Sequence, residues 1–246
     1  VLSIEDILDR FDSYQVGVVL AEDLVLLPER SAALEAVVRA VADEARATLG
    51  ETALAEVPEL RAWREAYKAF GVKKTSYRSS AERLLKRVVQ GEELPRVNTL
   101  VDVYNAVSVR YRMPVGADDL AKVVSPLAFR YARAGDTFVR LGDETQTPDP
   151  PAPGEVVYAD AKKCLCRRWN WAQDARSAIG AQTTRAVLTV QALAAEPAGR
   201  VGHAGDAGRV EAATRALCGL LAEHCGARTA WAVADRERPS VSVALD

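Results

Sequence analysis

Apolar residues recur every three or four positions through most of the first 115 residues of this 246-residue chain, and every second position in much of the remainder. The first rhythm is that of a helix with one buried face, the second that of a half-buried strand. Leu34, Val37, Val38, Val41 and Ala45 form an inner stripe behind Ser31, which predicts a helix capped by that serine. A second helix is expected over 60–70, ended by Gly71. A third follows the capping-box pattern of Ser79 and Glu82, with Ala81, Leu84, Leu85, Val88 and Val89 inward and Gly91 as its stop. A fourth carries Leu100, Val103, Tyr104, Val107 and Tyr111 along one face. The opening VLSIEDILDRF predicts a short amphipathic helix, and YQVGVVL at 14–20 a strand.

After the Met-Pro-Val-Gly turn at 113–116 the character changes. LAFRYAR and DTFVRLG, joined around Ala134-Gly135, predict a β-hairpin. TQTPDPPAPG at 145–154 is expected to be loop, because its prolines remove donors from any ladder. GEVVYAD and KCLCRRW predict two further strands, while RAVLTVQAL at 185–193 admits helix or strand. Residues 199–208 read as a flexible connection. Val210, Ala213, Leu217, Leu220 and Leu221 then form a late helix ended near Gly226, and TAWAVAD and SVSVALD supply two closing strands. Helices first and mainly antiparallel strands later imply an α+β fold, a helical N-terminal part packed on a sheet body. No internal repeat is present, and residues 1–246 are expected to form a single domain.

Composition narrows the class. With 49% hydrophobic and 27% charged residues the chain is ordinary for a globular protein, and its size lets it bury roughly three quarters of its unfolded surface. No apolar run approaches the ~20 residues that a membrane-spanning helix needs. The acidic start lacks the basic-then-apolar pattern of a secretory signal, so a cytoplasmic location is expected. Four cysteines suit reduced thiols. Cys164 and Cys166 form C-x-C, which would place both on one strand face, and neither His203 nor His224 has ligand spacing to them; no metal or other cofactor is expected. The net charge of −2 hides an asymmetry: residues 61–87 carry nine basic side chains against Glu65 and Glu82, a local +7 against −9 elsewhere. Such a stretch is a footprint for a polyanion such as RNA, although a solvated pair of helix faces is the alternative.

The residues argue against several chemistries. There is no G-x-S-x-G elbow for a serine nucleophile and no Gly-rich loop of the phosphate- or dinucleotide-binding type. On the fourth helix, Asn98, Asp102, Asn105 and Arg112 share the side opposite the apolar stripe. Short side chains of fixed reach suit a site better than a solvated face does. Together with Asp119, Asp160 and residues 167–170, they could bind a zwitterion or orient water on an activated ester.

The segments FGVKKTSYRSSAERLLKRV, NTLVDVYNAVSVRYRMPVGADDL, GEVVYADAKKCLCRRWNWAQD and AQTTRAVLTV, taken in that order, resemble the editing (B3/B4) domain of the phenylalanyl-tRNA synthetase β subunit and its freestanding relatives. The similarity runs over about 63–193, leaving 1–62 and 194–246 as extensions packed on it. It implies a mixed α+β body whose pocket inspects the amino acid on a mischarged tRNA and hydrolyses the ester. Within these segments Asp102, Asn105, Asp119 and Asp160 match the family's pattern, and on the trans-editing reading Asn105, Asp160 and Asn170 are the expected catalytic groups. Asp102, Asp119, Arg167, Arg168, Trp169 and Thr183 are expected around the substrate, and Lys73, Lys74, Arg78, Arg83, Lys86 and Arg87 along the tRNA. Two positions depart from the pattern: Gly116 stands where the synthetase commonly has His, and Asp118 where freestanding relatives tend to carry an aromatic. A module that binds tRNA without hydrolysis, and an amino-acid-binding protein that no longer uses tRNA, are the alternative readings.

Overall fold

The computed structural model describes residues 1–72, 77–194 and 203–245. In chain order the elements are β1 (Leu2–Ser3), β2 (Gln15–Glu22), α1 (Ala32–Leu49), α2 (Pro58–Ala69), α3 (Ser80–Val89), α4 (Thr99–Tyr111), β3 (Val115–Asp119), β4 (Leu127–Tyr131), β5 (Val156–Ala159), β6 (Cys164–Arg167), β7 (Ala172–Gln173), β8 (Ala186–Ala192), α5 (His203–Cys225), β9 (Arg228–Ala234) and β10 (Ser240–Val241). The helices begin where side chains cap them: Ser31, Ser79 and Asn98 accept bonds from the backbone N–H groups of Leu34, Glu82 and Val101. Glu82 does not return the bond to Ser79 as a capping box requires. Its carboxylate pairs instead with Arg64 of α2 and Arg78.

Two sheets follow, an α+β architecture. One is antiparallel, in the order β3-β8-β2-β9; the other is mixed, in the order β10-β1-β4-β5-β6-β7. The pleat sorts each strand of the first sheet between two cores. Val19 and Ala21 of β2, Leu188 and Val190 of β8, and Val115 and Ala117 of β3 pack against α1, α3, α4 and α5. Val16, Val18 and Val187 face the other way, into a core built on the second sheet with Leu2, Phe129, Tyr158 and Trp169. Gly17 lets α5 approach β2 closely, since a Cβ there would lie 2.0 Å from Thr214 Oγ1. Among the described residues no helix is long and apolar enough to cross a membrane.

Three local expectations are corrected. Residues 1–11 are not an α-helix: Leu2 and Ser3 pair with both β10 and β4, and only a 3₁₀ turn at Glu5–Ile7 follows. Pairing with a strand on either side outweighs the weak helical preference of so short a segment. The hairpin 127–142 does not form either. β4 pairs with β5, while Asp136 turns back to hold Arg130 and the N–H of Arg133, and Phe138 drops into a small core with Val157, Ala159 and Cys164. SVSVALD pairs only at Ser240–Val241. Residues 199–202 of the expected flexible connection lie outside the described residues, and from His203 the chain is helical. RAVLTVQAL resolves as strand β8, at the centre of three-way pairing with β2 and β3.

Candidate functional site

The strand alternation that buries Val115, Ala117, Leu188 and Val190 under the helices turns Gly116, Asp118, Thr189 and Gln191 to the opposite face. Gly116 and Thr189 are direct cross-strand neighbours. That face, the α3–α4 pair and the β6–β7 edge of the second sheet enclose a cavity of about 640 Å³. Small-molecule sites typically measure about 300–1,000 Å³. Tyr104 and Asn105 enter from α4, Cys166 from β6, and Asn170, Trp171 and Gln173 from the turn into β7, while the exposed Arg83 and Arg87 of α3 stand at the mouth.

A chain of polar side chains crosses the floor. The Tyr67 hydroxyl donates to Asn170 Oδ1 (2.8 Å), Asn170 Nδ2 to Gln191 Oε1 (3.1 Å), and Gln191 Nε2 to Thr189 Oγ1 (3.2 Å). Linked donors and acceptors fix one another's orientation, so Asn170 and Thr189 present to the cavity at defined angles. Burial pushes the Tyr67 hydroxyl well above its ordinary range and keeps its proton in place. Asn105 differs. It is buried against the cavity, yet nothing among the described residues hydrogen-bonds its amide. Its donors and acceptor are therefore available to a ligand.

Asp118 is the one carboxylate among the described residues of the wall. Ser177 Oγ (2.6 Å) and Gln173 Nε2 (3.1 Å) donate to it, the latter amide being pinned also by the Ala117 carbonyl (2.6 Å). Burial pushes the Asp118 carboxyl up to about 7, against the opposing pull of those two bonds. Cys166 reaches the cavity through an irregularity. Cys166 pairs with Tyr158 and Cys164 with Ala159, so Leu165 is an extra residue in β6, a bulge. The C-x-C thiols consequently lie on opposite faces, a correction to the expectation from spacing. Cys164 joins the Phe138 core and Cys166 lines the cavity. Burial, with the Asp118 charge, raises the Cys166 thiol far above its usual range, so it is a wall and not a thiolate nucleophile.

Asn105 and Asn170 are thus brought together, with Arg83 and Arg87 at the entrance. The other expected residues lie elsewhere, each with a local task. Asp160 closes the β5–β6 turn, accepting from the N–H groups of Val124, Lys162 and Lys163 and from Lys163 Nζ. Asp102 is buried in a two-bond ion pair with Arg30. Asp119 caps the 3₁₀ turn Leu120–Lys122 and accepts from the Thr183 hydroxyl (2.7 Å), which explains both residues. Arg167 forks onto Glu155 (3.0 and 2.9 Å). Trp169 sits at the centre of a ring cluster with Phe11, Tyr14 and Trp63. Arg168 lies outside the cavity but stacks on Tyr77 and on Trp171, one of its walls. Arg78 is paired with Glu82, Lys86 is exposed on α3 away from the cavity, and Lys73 and Lys74 lie outside the described residues.

Sequence reasoning missed Gln173, Thr189, Gln191 and Cys166, and took Asp118 only as a departure from a pattern. The signal for two of them was present: Thr189 and Gln191 are the polar pair, two apart, in an otherwise apolar run. Once RAVLTVQAL is a strand, they must share a face.

No curated protein matches the chain. Among solved structures, it is similar to an N-terminal fragment of the phenylalanyl-tRNA synthetase β subunit from Pyrococcus horikoshii, at 12% identity and a TM-score of 0.41. That similarity covers 55% of this chain and 43%, less than half, of the other. The B3/4 domain model matches residues 62–226, about two thirds of the chain, a span that holds every element walling the cavity. The chain belongs to the B3/4 domain family.

Proposed function

We propose that this protein binds aminoacyl-tRNA and hydrolyses the ester of a mischarged one, with the aminoacyl group in the cavity and the acceptor end across its mouth. The observation that carries the reading is the convergence of Asn105 from α4, Asn170 from the β6–β7 turn, and Thr189 and Gln191 from β8 on one enclosed space. An aminoacyl ester is labile, so positioning and stabilisation of the developing oxyanion suffice to accelerate its hydrolysis. The free Asn105 amide supplies a donor for the carbonyl oxygen. Asn170, held by Tyr67 and Gln191, orients the attacking water or the substrate. Arg83 and Arg87 offer positive charge where phosphates would pass. Family membership supports a role tied to tRNA synthetase-type editing; the hydrolytic step is this reading's own addition. Incubation with a panel of mischarged tRNAs tests it: faster deacylation of at least one is expected, and no gain over spontaneous hydrolysis for any refutes it.

A second reading, an amino-acid-binding protein without tRNA, is favoured by one observation. Part of the basic segment is engaged at home: Arg64 and Arg78 share Glu82, and Arg87 pairs with Glu92. Charge reversal at Arg83 and Arg87 separates the two, since only the tRNA reading predicts a loss that grows weaker as salt rises.

A further inference from the structure

We propose that Asp118 seats a primary ammonium group, so that the cavity selects ligands by a positively charged amine. The inference rests on the cavity being the ligand site, as in the reading above, but not on hydrolysis. Its starting point is a contrast. The buried carboxylates among the described residues are Glu82, Asp102, Asp118, Asp119, Glu155, Asp160 and Asp174. Six have a cation within ion-pair distance: Arg64 at Glu82, Arg30 at Asp102, Lys122 at Asp119, Arg167 at Glu155, Lys163 at Asp160 and Arg176 at Asp174. Asp118 has none, although it is 5% exposed. Buried charges are ordinarily paired.

The geometry around it is built and incomplete. Both hydrogen bonds to Asp118, from Ser177 and Gln173, fall on Oδ1. Oδ2 accepts nothing from the described residues, while the residue lines the cavity. The carboxylate is therefore fixed by one oxygen and offers the other. An ammonium group on a ligand would supply the missing cation and donate directly to Oδ2, a charge-assisted bond to a buried carboxylate. Tyr104, Trp171 and Tyr158 complete apolar walls that suit the remainder of such a molecule.

The titratable surroundings set the pH behaviour. Lys163 lowers the Asp118 carboxyl and Asp174 raises it, both through space, and Tyr104, Tyr158 and Cys166 face its charge from α4, β5 and β6. Burial dominates and pushes the carboxyl up to about 7. An ammonium ligand favours the ionised form, so affinity should increase as pH rises from about 5 to about 7. It should fall again once the ligand amine loses its proton, at about 8 for an α-amino group.

The test uses the full chain and a panel of the twenty amino-acid amides with their N-acetylated counterparts, titrated calorimetrically against the wild type and Asp118→Asn. Asparagine keeps an acceptor for Ser177 and Gln173 and removes the charge. At least one amide should bind, and its N-acetyl form should bind about 10- to 100-fold more weakly. D118N should reduce affinity for the free amine by a similar factor and leave any N-acetyl affinity unchanged, which a merely structural residue would not do. Equal binding of amine and N-acetyl forms, undiminished binding by D118N, or no binding by any amide overturns the assignment. The hydrolytic reading fails separately. Mischarged tRNAs cleaved equally fast with and without an N-acetyl cap would sink the role of Asp118 alone, whereas amine-selective binding without deacylation would sink hydrolysis alone.

Discussion

Replacing Asp102 should unfold the protein more readily without altering the chemistry of the cavity. Its carboxylate accepts from Arg30 Nε at 2.9 Å and Nη2 at 3.1 Å, and the two side chains are 0% and 2% exposed. The same guanidinium donates to the Pro95 carbonyl (2.7 Å), so one arginine ties the segment before α1 to α4 and to the chain leading into it. Asp102→Asn removes the nearest charge partner of Arg30 and leaves it Glu35 at 3.5 Å with the Leu94 and Pro95 carbonyls. Removing one member of a buried pair costs about 3–5 kcal/mol, out of a total stability of about 5–15 kcal/mol. At about 2–4 °C per kcal/mol for a chain approaching this size, the melting temperature should fall by roughly 6–20 °C. The double variant Arg30→Met, Asp102→Leu removes both charges, and its loss should be smaller than that of D102N alone. Urea unfolding of the wild type, D102N, R30M and the double variant measures this cycle. Amine binding of D102N, assayed at low temperature and corrected for the folded fraction, should match the wild type. Additive losses in the cycle, or a D102N midpoint equal to the wild type, would refute the assignment of Asp102 as an anchor of α4.

Asp118 gives the opposite sign. Its carboxyl is raised in the folded state to about 7, so the native form binds its proton more tightly than the unfolded chain; stability is full at low pH and declines as pH climbs from about 4 to about 7. D118N should therefore be more stable than the wild type at pH 8, by up to about 4 kcal/mol, and the difference should vanish below about pH 4; denaturation curves across pH check it. Gly116→Trp should block the cavity, because a Cβ there meets nothing within 4 Å and the new ring has room inside. Amine binding should drop beyond detection while stability changes by less than about 1 kcal/mol; retained binding would show that the ligand sits elsewhere. The pair Arg83→Glu, Arg87→Glu should weaken tRNA association and make its logarithmic salt dependence shallower by roughly 1.5, each arginine counting for about 0.7–0.9. An unchanged slope in a filter-binding titration would remove those side chains from the RNA path.

Much of this fold was legible because the local signals agree with the final packing. Ser31 and Ser79 cap two of the helices that apolar spacing requires, and Gly71 and Gly91 end two with positive φ, whereas Asn98, read as part of the polar face of α4, is its N-cap. Failures came where pairing with distant segments decided the outcome. Nothing near Leu2 announces that Val241 and Leu127 will lie on either side of it. Phe129 and Phe138 read as two halves of a hairpin until Asp136 is seen clamped to Arg130. The site divided along the same line. Asn105, opposite an apolar stripe, and Asn170, in the polar group 167–170, were readable as short polar groups, but Asp102, Asp119 and Asp160 show the same chemistry and serve as anchors and caps. Residue type does not separate the two uses; only the partner does, and Arg30, Thr183 and Lys163 are far from obvious in sequence.

That distinction carries a consequence for how the cavity came to be polar. A carboxyl raised from 3.8 to about 7 corresponds to about 4 kcal/mol of unfavourable charge burial at alkaline pH, a large fraction of a marginal stability. The fold has the means to avoid it, since it gives a cation to each of six other buried acids, one of them Asp119 next in sequence. The bulge at Leu165 is a second such cost. Without it, Cys166 would fall on the face of Cys164, in the Phe138 core, and the wall opposite Asp118 would have to be built from another residue. A sheet irregularity and an unpaired charge both disfavour folding when taken alone. Both border the same space, beside an amide on Asn105 that nothing among the described residues engages. Three independent departures from good packing at one place are what a binding site requires, because the ligand, once seated, supplies the missing partners.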